Sequence, residues 1–124
     1  MVRGERGHGD GLGRGEQAGG PRYEATWINP ENGADGGQPG GNIRNVFLHR
    51  TDVPGLRFVQ RAGGDATTAT TVQKRGRWAR LSVSPGRINP MSTAWENSRK
   101  PLVAEYSYRG RPLFVIGVHF ASKG

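Results

Sequence analysis

The chain has 124 residues, enough for one domain, and 21 of them are glycine, so turns and loops occupy much of its length. It has no cysteine, which excludes a disulfide framework and a thiolate zinc centre, and no apolar run near the roughly 18–20 residues of a membrane helix. The formal charge is +8 and uneven: from Arg44 to Ala104 eleven Lys and Arg stand against Asp52, Asp65 and Glu96, a field suited to a polyanion or phosphate ester and equally to the solvated face of an arginine-rich protein.

Residues 1–19 alternate glycine with charge and have no apolar face of either period, which predicts a disordered Gly/Arg-rich tail ahead of a domain over 20–124. Arginines near the start have no apolar stretch behind them, so no secretory signal is read there. The run Gly7-His8-Gly9-Asp10-Gly11-Leu12-Gly13 superficially resembles a phosphate-binding glycine loop. It lacks the preceding strand and following helix that such a loop needs, and His8 reads as a tail residue. Tyr23 to Ile28 has strand character and is stopped by Asn29-Pro30. Residues 31–41 form an extended glycine-rich loop. Its Asn32 and Asp35 lack the acid spacing of a calcium-binding EF-hand.

Asn42 opens a predicted hairpin: a strand around Val46-Phe47-Leu48, a turn at Asp52-Val53-Pro54-Gly55 with Pro and Gly in type II order, and a return over Leu56 to Arg61. Alternation places Asn45, Phe47 and His49 on one side and Arg44, Val46, Leu48 and Arg50 on the other. His49 reads as a surface residue at a strand end. Residues 62–77 are a Gly/Thr-rich loop ending in Lys74-Arg75-Gly76-Arg77, which suits a phosphate backbone or plain solvent. Trp78 to Val83 is a short strand turned by Ser84-Pro85-Gly86. Ser92 caps one helical turn before Asn97. Trp78 and Trp95 are core residues or base-stacking platforms.

The last stretch reads as two strands, Leu102 to Tyr108 and Leu113 to Phe120, joined at Arg109-Gly110-Arg111-Pro112. The first alternates as a half-buried strand does. The second is apolar almost throughout, as expected of a strand covered on both faces. Antiparallel pairing brings Arg99 and Lys100 to the end of the sheet that carries His119, Ser122 and Lys123. Two cations, an imidazole, a hydroxyl and an ammonium then converge, a set suited to phosphate. Whether Arg99 and His119 share a face depends on the register.

Five segments carry a resemblance: Gly36-Gly37-Gln38-Pro39-Gly40-Gly41-Asn42-Ile43-Arg44, Phe47-Leu48-His49-Arg50-Thr51-Asp52, Ser84-Pro85-Gly86-Arg87-Ile88, Ser98-Arg99-Lys100-Pro101-Leu102 and His119-Phe120-Ala121-Ser122-Lys123-Gly124. In order and spacing the chain resembles part of a bacterial extracellular nuclease of the endonuclease/exonuclease/phosphatase superfamily, the deoxyribonuclease-I-like fold. The resemblance implies an α/β (α+β) architecture. This chain would be a fragment, mostly antiparallel strands and loops, of a four-layered α/β sandwich with two sheets face to face and helices outside. It implies hydrolysis of phosphodiester bonds in nucleic acid, DNA or RNA, with a divalent metal, usually magnesium. Arg99 then matches the arginine that holds a substrate phosphate. His119 matches the catalytic histidine at the end of a central strand, and Asn42 and Arg44 are substrate-contacting or supporting residues. Negative charge that builds on phosphoryl oxygens during attack by water is stabilised by positioned cations; a guanidinium fork and an imidazole supply them.

Departures accompany the match. Val118 stands where the family commonly has Asn before the histidine. No metal ligand is assigned in this chain: Glu5 and Glu16 lie in the wrong context for the metal-binding glutamate, and the family's later Asp-x-Asn and Asp-His pairs have no counterpart. The reading is therefore an incomplete nuclease, inactive on its own, with apolar strand faces left bare. A non-catalytic nucleic-acid-binding module using Arg99, Lys74, Arg75 and the tryptophans is the alternative. A related phosphoinositide or sphingomyelin phosphodiesterase is another, because a shared fold does not fix the substrate.

Overall fold

The computed structural model describes the backbone of residues 6–10 and residues 20–119. Nine strands and one short 3-10 turn make up its regular structure. The first sheet holds β1 (Arg6–Asp10), β2 (Tyr23–Ile28) and β3 (Val46–Arg50), antiparallel and in that order. The second is built on β8 (Leu102–Tyr108), whose one edge is filled along its length by β9 (Arg111–Gly117). β4 (Leu56–Val59) and β7 (Gly86–Arg87) divide its other edge between them. β5 (Val72–Arg75) and β6 (Trp78–Leu81) form a separate hairpin.

The first strand of the terminal hairpin spans Leu102–Tyr108 as read, and the second starts two residues earlier and ends three earlier than the expected Leu113 to Phe120. The hairpin loop is Arg109-Gly110 alone, with φ of 50° and 78°, the left-handed pair that a two-residue hairpin turn requires. Arg111 and Pro112 already belong to β9, and Tyr108 pairs with Arg111.

Alternation along β8 gives it two buried faces. Leu102, Ala104 and Tyr106 face the first sheet, against Thr26, Ile28, Phe47 and His49, and all but the last two are fully buried. Tyr106 meets the His49 ring edge-on at 5.3 Å and Phe58 at 5.6 Å. His49 is thus half-buried between the sheets and not a surface residue. Gly117 permits the close approach of β9 to β3: a Cβ there would lie 2.7 Å from Cε1 of Phe47. On the opposite face Glu105 accepts from Nη2 of Arg61 at 3.0 Å and from the backbone N–H of Leu81 at 2.8 Å, anchoring the β5–β6 hairpin.

Several expectations are corrected. Residues 42–61 do not make a β-hairpin, since β3 pairs with β2 and β4 with β8. The turn is of the expected kind, with Pro54 and Gly55 central, Gly55 at φ 82° and Leu56 N–H donating to Val53 O at 3.2 Å. It carries the chain between sheets, because Phe47 and Phe58 bury their rings in the same core from opposite sides. Arg50 holds Asp52 by two hydrogen bonds at 2.9 and 3.0 Å, which keep that carboxyl below its ordinary pKa.

β5 falls in the stretch read as loop. All four of its residues are exposed, so no burial period marks it. β9, expected to be covered on both faces, leaves Leu113 and Ile116 about half exposed. Within the predicted tail, Arg6–Asp10 pairs with β2, with Gly7 opposite Trp27 and His8 opposite Thr26. The rest of residues 1–19 lies outside the described residues, as do residues 120–124 and with them Ser122 and Lys123.

The architecture is mostly antiparallel sheet. Among the described residues the helical content is the single turn Thr93–Trp95, capped by Ser92 as read, whose hydroxyl accepts from Ala94 N–H at 3.2 Å. The helical layers of a four-layered sandwich are not present among them.

Candidate functional site

The hairpin register decides which residues meet at the end of the second sheet. Leu102 pairs with Gly117, and the same register carried beyond the ladder sets Lys100, rather than Arg99, opposite His119. The Ser98 hydroxyl donates to the backbone carbonyl of His119 at 3.3 Å, closing the two chain segments on each other. Asn45, at the entrance to β3, adds the first sheet: its Nδ2 donates to the carbonyls of Lys100 at 3.2 Å and Gly117 at 3.4 Å. Arg99, Lys100, Arg44 and His119 thus stand at one end of the molecule.

Arg99, Lys100, Arg44 and Arg87 line a small enclosed space with Asn45 and Asp35, four cations and one carboxylate. Its volume of about 10 Å³ has room for roughly one water molecule. Nε of Arg99 is buried and has no hydrogen-bond partner. A buried guanidinium donor without an acceptor is costly. Arg44 is exposed and donates to Oδ1 of Asn29.

Two predicted site residues take other positions. Asn42 does not line this space; its Oδ1 accepts from Gly33 N–H at 2.8 Å and its Nδ2 donates to Asn32 at 3.1 Å, tying the glycine-rich loop to itself. His119 is exposed, outside the enclosed space and beside its entrance strands.

Sequence reasoning missed Asp35. It is buried in the left-handed conformation at φ 57°. It accepts from Nη1 of Arg87 at 2.6 Å and pairs with Nζ of Lys100 at 3.0 Å. Arg87 also donates to Ala66 O at 3.0 Å. The glycine-rich loop is thereby docked on the Arg99 end of the sheet: a Cβ on Gly36 would fall 2.8 Å from the backbone oxygen of Asn97, immediately before Ser98. No local signal marks it, because its partners Arg87 and Lys100 lie far along the chain and Glu31 shares the same loop.

The donor set does not fit magnesium. Asp35 is committed to Arg87 and Lys100, and Glu105 to Arg61 and the Leu81 amide. Among the described residues no three His, Asp or Glu gather where a metal ion could be held. Comparison with protein-family models, curated proteins and solved structures finds no match to this chain. The resemblance therefore rests on its five motifs.

Proposed function

We propose that this chain is the phosphate-gripping part of a phosphodiester hydrolase, a nuclease of the endonuclease/exonuclease/phosphatase superfamily, and that alone it binds nucleic acid without cutting it. The observation that carries this reading is the Ser98 to His119 hydrogen bond, which puts the two segments bearing the candidate phosphate ligands at one sheet end. The unpartnered Nε of Arg99 supports it, since Arg99 lines the enclosed space and lacks the acceptor that a phosphate oxygen would supply. Arg44 and Lys100 add positive field there, and His119, exposed beside them, donates to the same phosphate from its imidazole.

In this reading the four-layered sandwich is the fold of which the two sheets form a part. Hydrolysis then draws on magnesium held by carboxylates other than Asp35 and Glu105. The test is incubation of the chain with plasmid DNA, with magnesium and with EDTA, beside a binding titration. The expected result is binding in both conditions and nicking in neither. Replacing Arg99 by Gln should weaken binding about 10- to 100-fold, the value of one charge-assisted hydrogen bond. Magnesium-dependent nicking by the chain, or binding indifferent to Arg99→Gln and His119→Gln together, contradicts the reading.

A further inference from the structure

A second basic site lies at the far end of β8 and β9. Between β4, the hairpin turn and the β5–β6 hairpin runs an open cleft of about 360 Å³ lined by Arg57, Arg61, Arg75, Trp78, Arg80 and Glu105, among others. Ser107 and Pro112 border it, seven residues along the ladder from Lys100 and His119, or about 20 Å at the rise of a strand.

The charges in this cleft do not cancel. Glu105, its only carboxylate, is taken by Arg61 in a two-point pair. Arg80 donates to Gln73 Oε1 at 3.1 Å and keeps its charge. Arg57 and Arg75 have no carboxylate within ion-pair distance among the described residues. The β5–β6 register sets Arg75 opposite Trp78 and Gln73 opposite Arg80, which places Arg75, Trp78 and Arg80 on one face of the hairpin. Trp78 is 41% exposed although apolar, and the Arg77 guanidinium lies 5.2 Å from its ring centre. A large aromatic left in solvent beside uncompensated guanidinium groups is the pairing that single-stranded nucleic acid uses: bases stack on the ring and phosphates follow the cations.

We propose that this cleft binds a single strand of nucleic acid, with Arg57, Arg75 and Arg80 on successive phosphates and one base stacked on Trp78. The site is independent of the Arg99 end and stands whether or not that end handles a phosphodiester. The test is titration of the chain with a fluorescent oligothymidylate in EDTA at several salt concentrations. Arg57→Gln/Arg75→Gln should weaken binding at least tenfold and make the slope of log K against log salt shallower by about 0.7 for each phosphate no longer neutralised. Trp78→Leu should weaken it about tenfold. Arg57→Lys/Arg75→Lys and Trp78→Phe, which keep charge and ring, should retain it. Absence of binding, loss of binding in the conservative variants, or loss on Arg99→Gln but not on Arg57→Gln/Arg75→Gln overturns the proposal. So does equal binding of polyglutamate of matching charge.

Discussion

Tyr106 shows how a single residue joins core packing to pH. Its ring fills the space between the sheets, and burial, only partly offset by the neighbouring Thr26 hydroxyl, pushes its pKa up to about 12 from an ordinary 10.0. The folded state therefore holds the phenolic proton more tightly than the unfolded chain does. The stability linked to this proton is fully present below pH 10 and is lost as pH rises from 10 through 12. Urea midpoints measured on either side of that window should fall for the native chain and fall distinctly less for Tyr106→Phe. Equal slopes would show that Tyr106 is not shielded. The convergence of Arg99 and Lys100 with His119 at one sheet end was legible in the sequence, because antiparallel pairing alone requires it. Asp35, Glu105 and Arg61 were not, because their roles depend on partners 44 to 65 residues away that only the fold brings near.

Elements were legible where burial imposes a period. β8 buries Leu102 through Tyr106 and β2 buries Thr26 and Ile28 in alternation, and the sequence shows it; β5 buries none of its four and shows nothing. Pairing was less accessible. A Pro-Gly turn looks the same whether it closes a hairpin or carries the chain from one sheet to another, and only the core that Phe47 and Phe58 share distinguishes the two. The glycine-rich loop gives this scale its prediction. Gly36 and Gly40 both adopt left-handed φ, of 83° and 77°, but Gly40 has open space around it while Gly36 abuts the backbone of Asn97. Gly40→Ala should cost about 1 kcal/mol, the backbone penalty alone. Gly36→Ala should cost more than that, since it forces the loop off the Ser98-Arg99 segment, and should weaken plasmid DNA binding as well. Thermal unfolding and binding of the two variants check this; equal effects would mean the loop does not brace the Ser98-Arg99 segment.

At the scale of the molecule, the two sheets meet over Tyr106 but leave apolar surface uncovered. Val46, Leu48, Leu113 and Ile116 are 48 to 63% exposed, and the first three help line an open apolar cleft of about 400 Å³. β3 and β9 are each paired on one edge only among the described residues. Bare edges beside apolar side chains favour association. Sedimentation should show the chain self-associating as concentration rises, and Leu48→Lys with Ile116→Lys should suppress it. A native chain that stays monomeric and unfolds in one sharp transition would show these surfaces to be harmless.

In the proposed function Arg99 and His119 meet one phosphate at one end of the sheet, and nuclear magnetic resonance can observe both groups directly. In a titration with a dinucleotide phosphodiester, the Nε–Hε resonance of Arg99 and the ring resonances of His119 should shift together with one dissociation constant, while Asn42 stays still. Shifts confined to residues elsewhere, or an Arg99 Nε–Hε signal unmoved at saturation, would contradict it.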